Sequence, residues 1–270
     1  MEYETYTGVD VCKWFLERLS NVTSRLVTII DDKQRIQMTQ SDWAEFSEAT
    51  SCWICRWPFD PQYPEFKVRD HDHLTGKYRG AAHSICNLHL KQYKKIPVFL
   101  HNFRGYDGHL IALATEHFSQ TKLKIIGQSY EKYPFQGFGP YIIFKDSYQF
   151  MSYSLEQLGR ELLNSGVEKF PHLRKQFPDI PDEKFRLLLR KGVYPYENMD
   201  RWEKLKQATL PSKDDFYNSL RAEACSDDDY SHAQLVWKEF NCHSMQEYQN
   251  LYLKTDVLIL ADIFHNFRKL

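Results

Sequence analysis

Two short cysteine/histidine pairs constrain this chain more than any other feature. Cys52-x-x-Cys55 and His83-x-x-Cys86 bracket the stretch VRDHDHLTGKYRG, Val68 to Gly80. Each pair folds into a knuckle offering two donors to one ion, and two knuckles make a tetrahedral zinc set. The segment from Ser51 to about Lys94 has few long apolar runs, too few to hold itself together by its core, and a structural metal supplies what is missing. Zinc-bound cysteine is a thiolate and its histidine partner neutral, so binding releases protons and couples to folding. Of the six cysteines, Cys12, Cys225 and Cys242 are scattered and the other three cluster here, which in a reducing compartment speaks for metal rather than disulfides.

Inside the bracket, FKVRDHDH, LTGK and YRGAAH predict strand, turn and strand, and SICNLHLKQY predicts a helix. This is the order of a ββα-metal nuclease. Such a site needs an imidazole on its first strand to deprotonate water, with an aspartate and an asparagine nearby to hold a divalent ion at the scissile phosphate. Asp70, His71 and Asn87 fill those positions. CWIC…VRDHDHLTGKYRGAAHSICN closely resembles the zinc-binding core of recombination endonuclease VII, a phage nuclease that resolves DNA junctions. The resemblance covers about Cys52 to Leu90. It implies zinc on Cys52, Cys55, His83 and Cys86, with His83 standing where that family typically has cysteine. It also implies Mg²⁺ or Mn²⁺ on Asp70 and Asn87, a general base at His71, and a further active-site histidine at His73.

After Lys95 the texture changes. IPVFLHN has strand length, GYDGHLIALATEHF predicts a helix starting beside Asp107, KLKIIGQ and PYIIFKDSYQF predict two further strands, and SLEQLGRELL a helix. This order points to an α/β layer. Gly166 to about Pro211 is Pro-rich and irregular. Helices are predicted over Ser212–Ala224, Ser226–Phe240 and from Ser244, the last opening on the capping box Ser244-x-x-Glu247. Upstream, Val9–Asp31 has helical spacing with Val11, Trp14, Phe15 and Leu19 on one face, and a short helix is predicted over Ser41–Ala49.

HNFRGYDGHLI and YLKTD form a second constellation. Tyr252 and Asp256, four apart, share one helix face, and a hydroxyl beside a carboxylate suits a site where a metal-bound water attacks a phosphodiester. In this order the two motifs resemble Exo II and Exo III of the 3′–5′ exonuclease domain of family B DNA polymerases. The similarity is greatest to the protein-primed branch of linear DNA viruses, organellar plasmids and Polinton/Maverick transposons, and in the transposon polymerases of this kind an endonuclease VII-like zinc module is inserted ahead of Exo II. Supporting stretches are FKDSYQFMSYSLEQL, LLLRKGVYPYENMDRWEKL, LPSKDDFYNSL and LYLKTDVLILADIF. The resemblance implies that Asn102 and Tyr106 contact a single-stranded 3′ end, with Ser147 and Tyr148 as looser matches to further strand ligands. It makes Asp107 and Asp256 metal-linked carboxylates and has Tyr252 position the water. Neither the Asp-x-Glu of Exo I nor a polymerase palm is legible, so the expectation is a fragment or domesticated derivative with neither polymerase nor exonuclease activity of its own, the alternatives being an endonuclease through Asp70, His71 and Asn87 or a non-catalytic zinc-stabilised nucleic-acid-binding module. Its partners would be single-stranded or branched DNA and the missing polymerase parts.

The expected architecture is therefore α+β / α/β. A helical region spans 1–50, a zinc-bound ββα (His-Me finger) module 51–94, and an incomplete ribonuclease H-like exonuclease domain 95–270. Composition is that of a globular protein, with 42% hydrophobic and 26% charged residues. A net charge of −1 leaves any nucleic-acid contact to local patches such as HLKQYKKIP and FPHLRKQF, while SDDDY is a solvated acidic face. No apolar run reaches membrane-spanning length and MEYETYTGVDVCKW lacks a signal-peptide pattern, so the expected location is intracellular, nuclear or cytoplasmic.

Overall fold

The computed structural model describes residues 3–63, 66–90, 95–105, 107–118, 123–126, 135–219 and 222–269. They fall into two compact units, Gly8–Lys145 and Met1–Thr7 with Asp146–Leu270.

The first unit opens with helix α1, Val11–Asp31. Its buried stripe is Cys12, Phe15, Leu16 and Leu19, one residue round from the predicted face, and Val11 is exposed. The i, i+3, i+4, i+7 spacing is met because Leu16, fully buried, takes the central place. Helix α2, Gln40–Glu48, starts on a capping box in which the Asp42 amide donates to Thr39 Oγ1 and the Thr39 amide donates to Asp42 Oδ2 (3.2 and 2.8 Å). Strands β1 (Lys67–His71) and β2 (Tyr78–His83) form an antiparallel hairpin, followed at once by helix α3 (Ser84–His89), as the spacing predicts. Lys67 donates to the carbonyls of Ser47 and Ala49 at the end of α2, fastening that helix to the hairpin.

A second sheet runs β3–β6–β5–β4, from Ile96–Leu100, Ile142–Asp146, Phe135–Phe138 and Leu123–Ile126. β4–β5 and β5–β6 pair antiparallel, which belongs to an α+β arrangement rather than a parallel α/β layer. Strand β5 was not predicted, because PFQGF carries a proline and a glycine where a strand pattern is normally apolar. Helix α4, Asp107–Ala114, joins α1 over this sheet, with Phe103, Ile111, Phe138 and Phe144 in one apolar cluster.

The second unit is helical: α5 (Leu155–Asn164), α6 (Pro171–Gln176), α7 (Asp182–Arg186), α8 (Asp227–Glu239) and α9 (Met245–Phe267). Helices α5, α6 and α7 share a core with α9 through Phe170, Leu173, Phe185, Leu189 and Ile259. In place of the helix predicted over Ser212–Ala224 stands a 3-10 turn, Lys213–Phe216. The chain then doubles back on an Asn218/Glu223 bridge, with Ala222 in the left-handed region (φ 53°). The Ser212/Asp215 box starts a turn there, and burial of Phe216 ends it. At α9, Ser244 Oγ accepts from the Glu247 amide as expected, but the Glu247 carboxylate reaches one residue further back, to the His243 amide (2.7 Å). Among the described residues no helix is long and apolar enough to cross a membrane.

Candidate zinc centre and hairpin site

The C-x-x-C knuckle lies at the start of the hairpin module and His83-x-x-Cys86 at the junction of β2 with α3, so both pairs converge on one point. The donor atoms of Cys52, Cys55, His83 and Cys86 all lie within 4.8 Å of one another. His83 turns Nδ1 toward the sulfurs, 3.5 Å from Cys55 and 3.9 Å from Cys86. Its Nε2 lies 3.3 Å from the Pro58 carbonyl, so the proton sits there and leaves Nδ1 as the ligand lone pair. Phe59 packs edge-on to the same ring. Burial pushes the Cys52 thiol up, but amides of Cys55, His83 and Ile54 outweigh it and bring it down to about 6. Cys86 is pushed up to about 11 by burial, by the Cys55 side chain and by charge on Cys52. One thiolate is thus prepared at Cys52, while Cys86 resists ionising beside it. A dication resolves that conflict, and the donor set and its spacing fit zinc.

On the hairpin the two Asp–His pairs divide their work. Asp72 Oδ1 accepts from the amides of Leu74 and Thr75 (both 2.9 Å) and from the Thr75 hydroxyl, so this acid builds the turn. Those bonds hold its carboxyl below the usual range. Asp70 is 1% exposed, and both its oxygens accept from Arg79, from Nε and from Nη2 at 2.9 Å each. A break in register makes this pair: Asp70 faces Gly80 and His71 faces Tyr78, leaving Arg79 as the extra residue of a bulge. A bulge re-aims the side chain it carries, here onto the face of Asp70. Trp53, from the zinc knuckle, lies with its ring 5.5 Å from the guanidinium, and Gly80 leaves room for it, since a Cβ there would come within 2.7 Å of the indole.

His71 and His73 stand together with ring centroids 4.7 Å apart, both half-buried. His71 Nε2 lies 3.3 Å from the Gln34 carbonyl, which as a donor contact leaves Nδ1 for a proton. Gln34 belongs to a strap the sequence did not single out. Its amide donates to the His73 carbonyl, the Gln37 amide donates to Gly76 O, and Gly76 (φ 74°) lies against Arg35 O. Asn87 lies on α3, which packs on both strands of the hairpin.

The fit to a divalent cation differs from the fit to zinc. Asp70, as it stands, is closed to Mg²⁺ or Mn²⁺, because Arg79 is bonded to both oxygens and burial to 1% exposure shuts off the rest of the carboxylate. A glycine inside a strand pattern marks a bulge, and Arg79-Gly80 was the available signal for this contact.

The remaining predicted residues lie on both units. Asn102 is exposed with φ 61° and Asp107 opens α4, while Tyr106 lies outside the described residues. Ser147 is fully buried and Tyr148 exposed at the end of β6. On α9, the Tyr252 hydroxyl is hydrogen-bonded to Tyr196, and Asp256 lies close enough for its charge to act on the phenol. Burial, then the charge on Asp256 and then Tyr196, raise the Tyr252 phenol. Burial raises Asp256 as well, against the opposing effects of Tyr252, Lys191 and the Gly192 amide. Asp256 Oδ1 is buried with no hydrogen-bond partner among the described residues. Tyr196 and Gly192, whose missing Cβ would meet the Tyr252 ring at 2.6 Å, complete a cluster of which the sequence had named two members.

A family model described as recombination endonuclease VII matches residues 30–107. That match takes in the end of α1, the strap and α2 as well as the zinc knuckles and the hairpin. No curated protein and no solved structure matches the chain. The region 30–107 is thus endonuclease VII-like and carries a Cys/His cluster able to hold zinc, a likeness that suggests a nucleic-acid-binding or nuclease module.

Proposed function

We propose that the hairpin module is a zinc-held DNA endonuclease unit acting through His71. The observation that carries this is the position of His71: on the first strand of a ββα unit, with Nε2 tied to a backbone carbonyl and the ring part-exposed beside His73. In this reading His71 takes the proton of the attacking water, His73 lines the same face, and zinc holds the two strands and α3 in register. Asp70 and Asn87 are the residues assigned to the divalent ion, and Asp70 must first part from Arg79. The substrate is DNA with single-stranded or branched character. The test is cleavage of single-stranded, duplex and branched DNA with Mg²⁺ or Mn²⁺. Internal cuts lost in His71→Ala and retained in Asp256→Ala are expected; zinc-loaded protein that binds DNA and never cuts it would leave a binding module.

A second reading rests on the Tyr196/Tyr252/Asp256 cluster, whose unpartnered Oδ1 suits a cation or a donor from a ligand. Here the chain derives from a protein-primed family B DNA polymerase of transposon or viral type. Asp107, Tyr252 and Asp256 descend from a ribonuclease H-like exonuclease site, and Asn102, Tyr106 and the exposed Tyr148 serve as single-strand contacts. With no legible Exo I, this reading expects no exonuclease activity, and stepwise loss from DNA 3′ ends abolished by Asp256→Ala would overturn that expectation. The non-catalytic form of either reading is a zinc-stabilised DNA-binding module.

A further inference from the structure

The disagreement between Asp70 and a divalent cation has a definite cause, and the cause has a use. We propose that Arg79 is a latch that keeps Asp70 closed to divalent cations until a nucleic-acid phosphate takes the guanidinium. This inference rests on the nuclease reading above and assigns that site its control.

Three observations converge. The guanidinium fork meets the carboxylate with two parallel bonds of 2.9 Å, and Asp70 is almost fully buried, so water does little to weaken the pair. The latch is built by the bulge: regular pairing would set Arg79 opposite His71, on the other face from Asp70. Trp53 holds the guanidinium from its flat side, and its own indole N–H is buried with no partner among the described residues, so the ring is placed for its face and not for its N–H. Because Trp53 sits between Cys52 and Cys55, the latch is fastened to the zinc knuckle.

Arg79 itself is not sealed in; its side chain is 30% exposed against 2% for that of Asp70. It can therefore be approached from solvent where Asp70 cannot. A phosphodiester is the ligand that matches it, since phosphate offers a guanidinium the same two-oxygen edge that a carboxylate does. Exchange of one anion for the other leaves Asp70 as a buried, unpaired carboxylate, a state that a cation relieves.

The experiment is Mn²⁺ binding followed by electron paramagnetic resonance on the zinc-loaded chain, with zinc content checked for every variant. Wild type without DNA should show no Mn²⁺ lost on Asp70→Asn. Arg79→Gln should gain it, binding Mn²⁺ about tenfold or more tightly, and Asp70→Asn in that background should remove the gain. A short oligonucleotide added to wild type should produce the same Asp70-dependent uptake. Should Arg79→Gln lose zinc, Arg79→Lys, which keeps the charge but not the paired bonds, is read in its place. Asp70-dependent Mn²⁺ in DNA-free wild type, or no gain on removing the fork, overturns the latch; an oligonucleotide without effect overturns phosphate as its key. If uptake behaves as expected while His71→Ala cleaves normally, the latch stands and the nuclease reading falls.

Discussion

The hairpin module and the helical unit solve the same problem, holding short elements together, with different materials. The helical unit buries two clusters of large side chains along α9, from Phe170 and Leu189 at one to Met245 and Tyr248 at the other. The hairpin buries Ala81, Ala82 and Tyr78, little apolar volume for its length. In place of a core it has four converging Cys/His donors able to hold a metal, a buried ion pair and backbone contacts with the strap. A segment that cannot gain much from apolar burial leaves its polar groups where chemistry can use them, and the proposed site is on that segment. The comparison makes its own tests, since what breaks one region should spare the other.

The largest effect should come from the metal. Removing zinc with a chelator, or replacing Cys55 by alanine, takes away a binding energy of about 10 kcal/mol or more for a structural site. Hydrogen exchange should lose protection across β1, β2 and α3 and keep it along α9. Loss of protection in α9 as well would mean that the metal stabilises far more than its own knuckles.

The helical unit has one polar device of comparable consequence. Asp262 is fully buried on α9, and its oxygens accept from the amides of His172 and Leu173, 2.8 and 2.9 Å away, capping α6 from 90 residues off in sequence. Asp262→Ala strands one buried and one part-buried N–H group and should cost about 2 kcal/mol, read as a lower urea midpoint for this unit. Burial, against those two bonds, lifts its carboxyl to about 6. The folded state then binds more protons than the unfolded chain between the ordinary carboxylate range, about 4, and 6. The Asp262 contribution to stability therefore falls as pH rises through that window, and grows as pH falls. His172 and His265, edge-on at 4.9 Å and themselves lowered by burial, titrate with the opposite sense, so the slope must be taken against Asp262→Asn.

Gly76 is the backbone counterpart in the hairpin. At φ 74°, with an added Cβ 2.5 Å from Arg35 O, Gly76→Ala should cost about 2 kcal/mol and part the turn from the strap. A change in the His71 imidazole ¹⁵N shifts would show that the strap holds its tautomer. Unchanged shifts would make the strap a stabilising element only.

What could be read from sequence follows the same division. The knuckle spacing, the strand–turn–strand–helix order and the Ser244 helix start are local, and each appears where periodicity and ligand spacing put it. What was missed depends on register or on distance along the chain. The bulge that turns Arg79 onto Asp70 is a one-residue slip that alternation does not encode. Asp262 reads as one more acid on a long helix until α6 folds against it. Leu16 rather than Val11 faces the sheet, because helical spacing fixes a stripe but its rotation is set by what it meets. Antiparallel pairing around β5 escaped because a short strand holding Gly137 carries almost no pattern of its own.

The smallest expected effect tests whether function belongs to the hairpin alone. Tyr196→Phe removes one hydroxyl from the Tyr252 pair and should cost about 1 kcal/mol, the net worth of one neutral hydrogen bond. Tyr196 is 60% exposed, so its ring packing should survive the change and zinc content should be untouched. If the Tyr252 cluster only braces α9, DNA affinity measured by fluorescence anisotropy will match wild type. A drop in affinity larger than that small stability loss explains would place a nucleic-acid contact at Tyr196. The helical unit, with its apolar core, would then be carrying a site of its own, and the contrast between a stabilising region and a working one would fail.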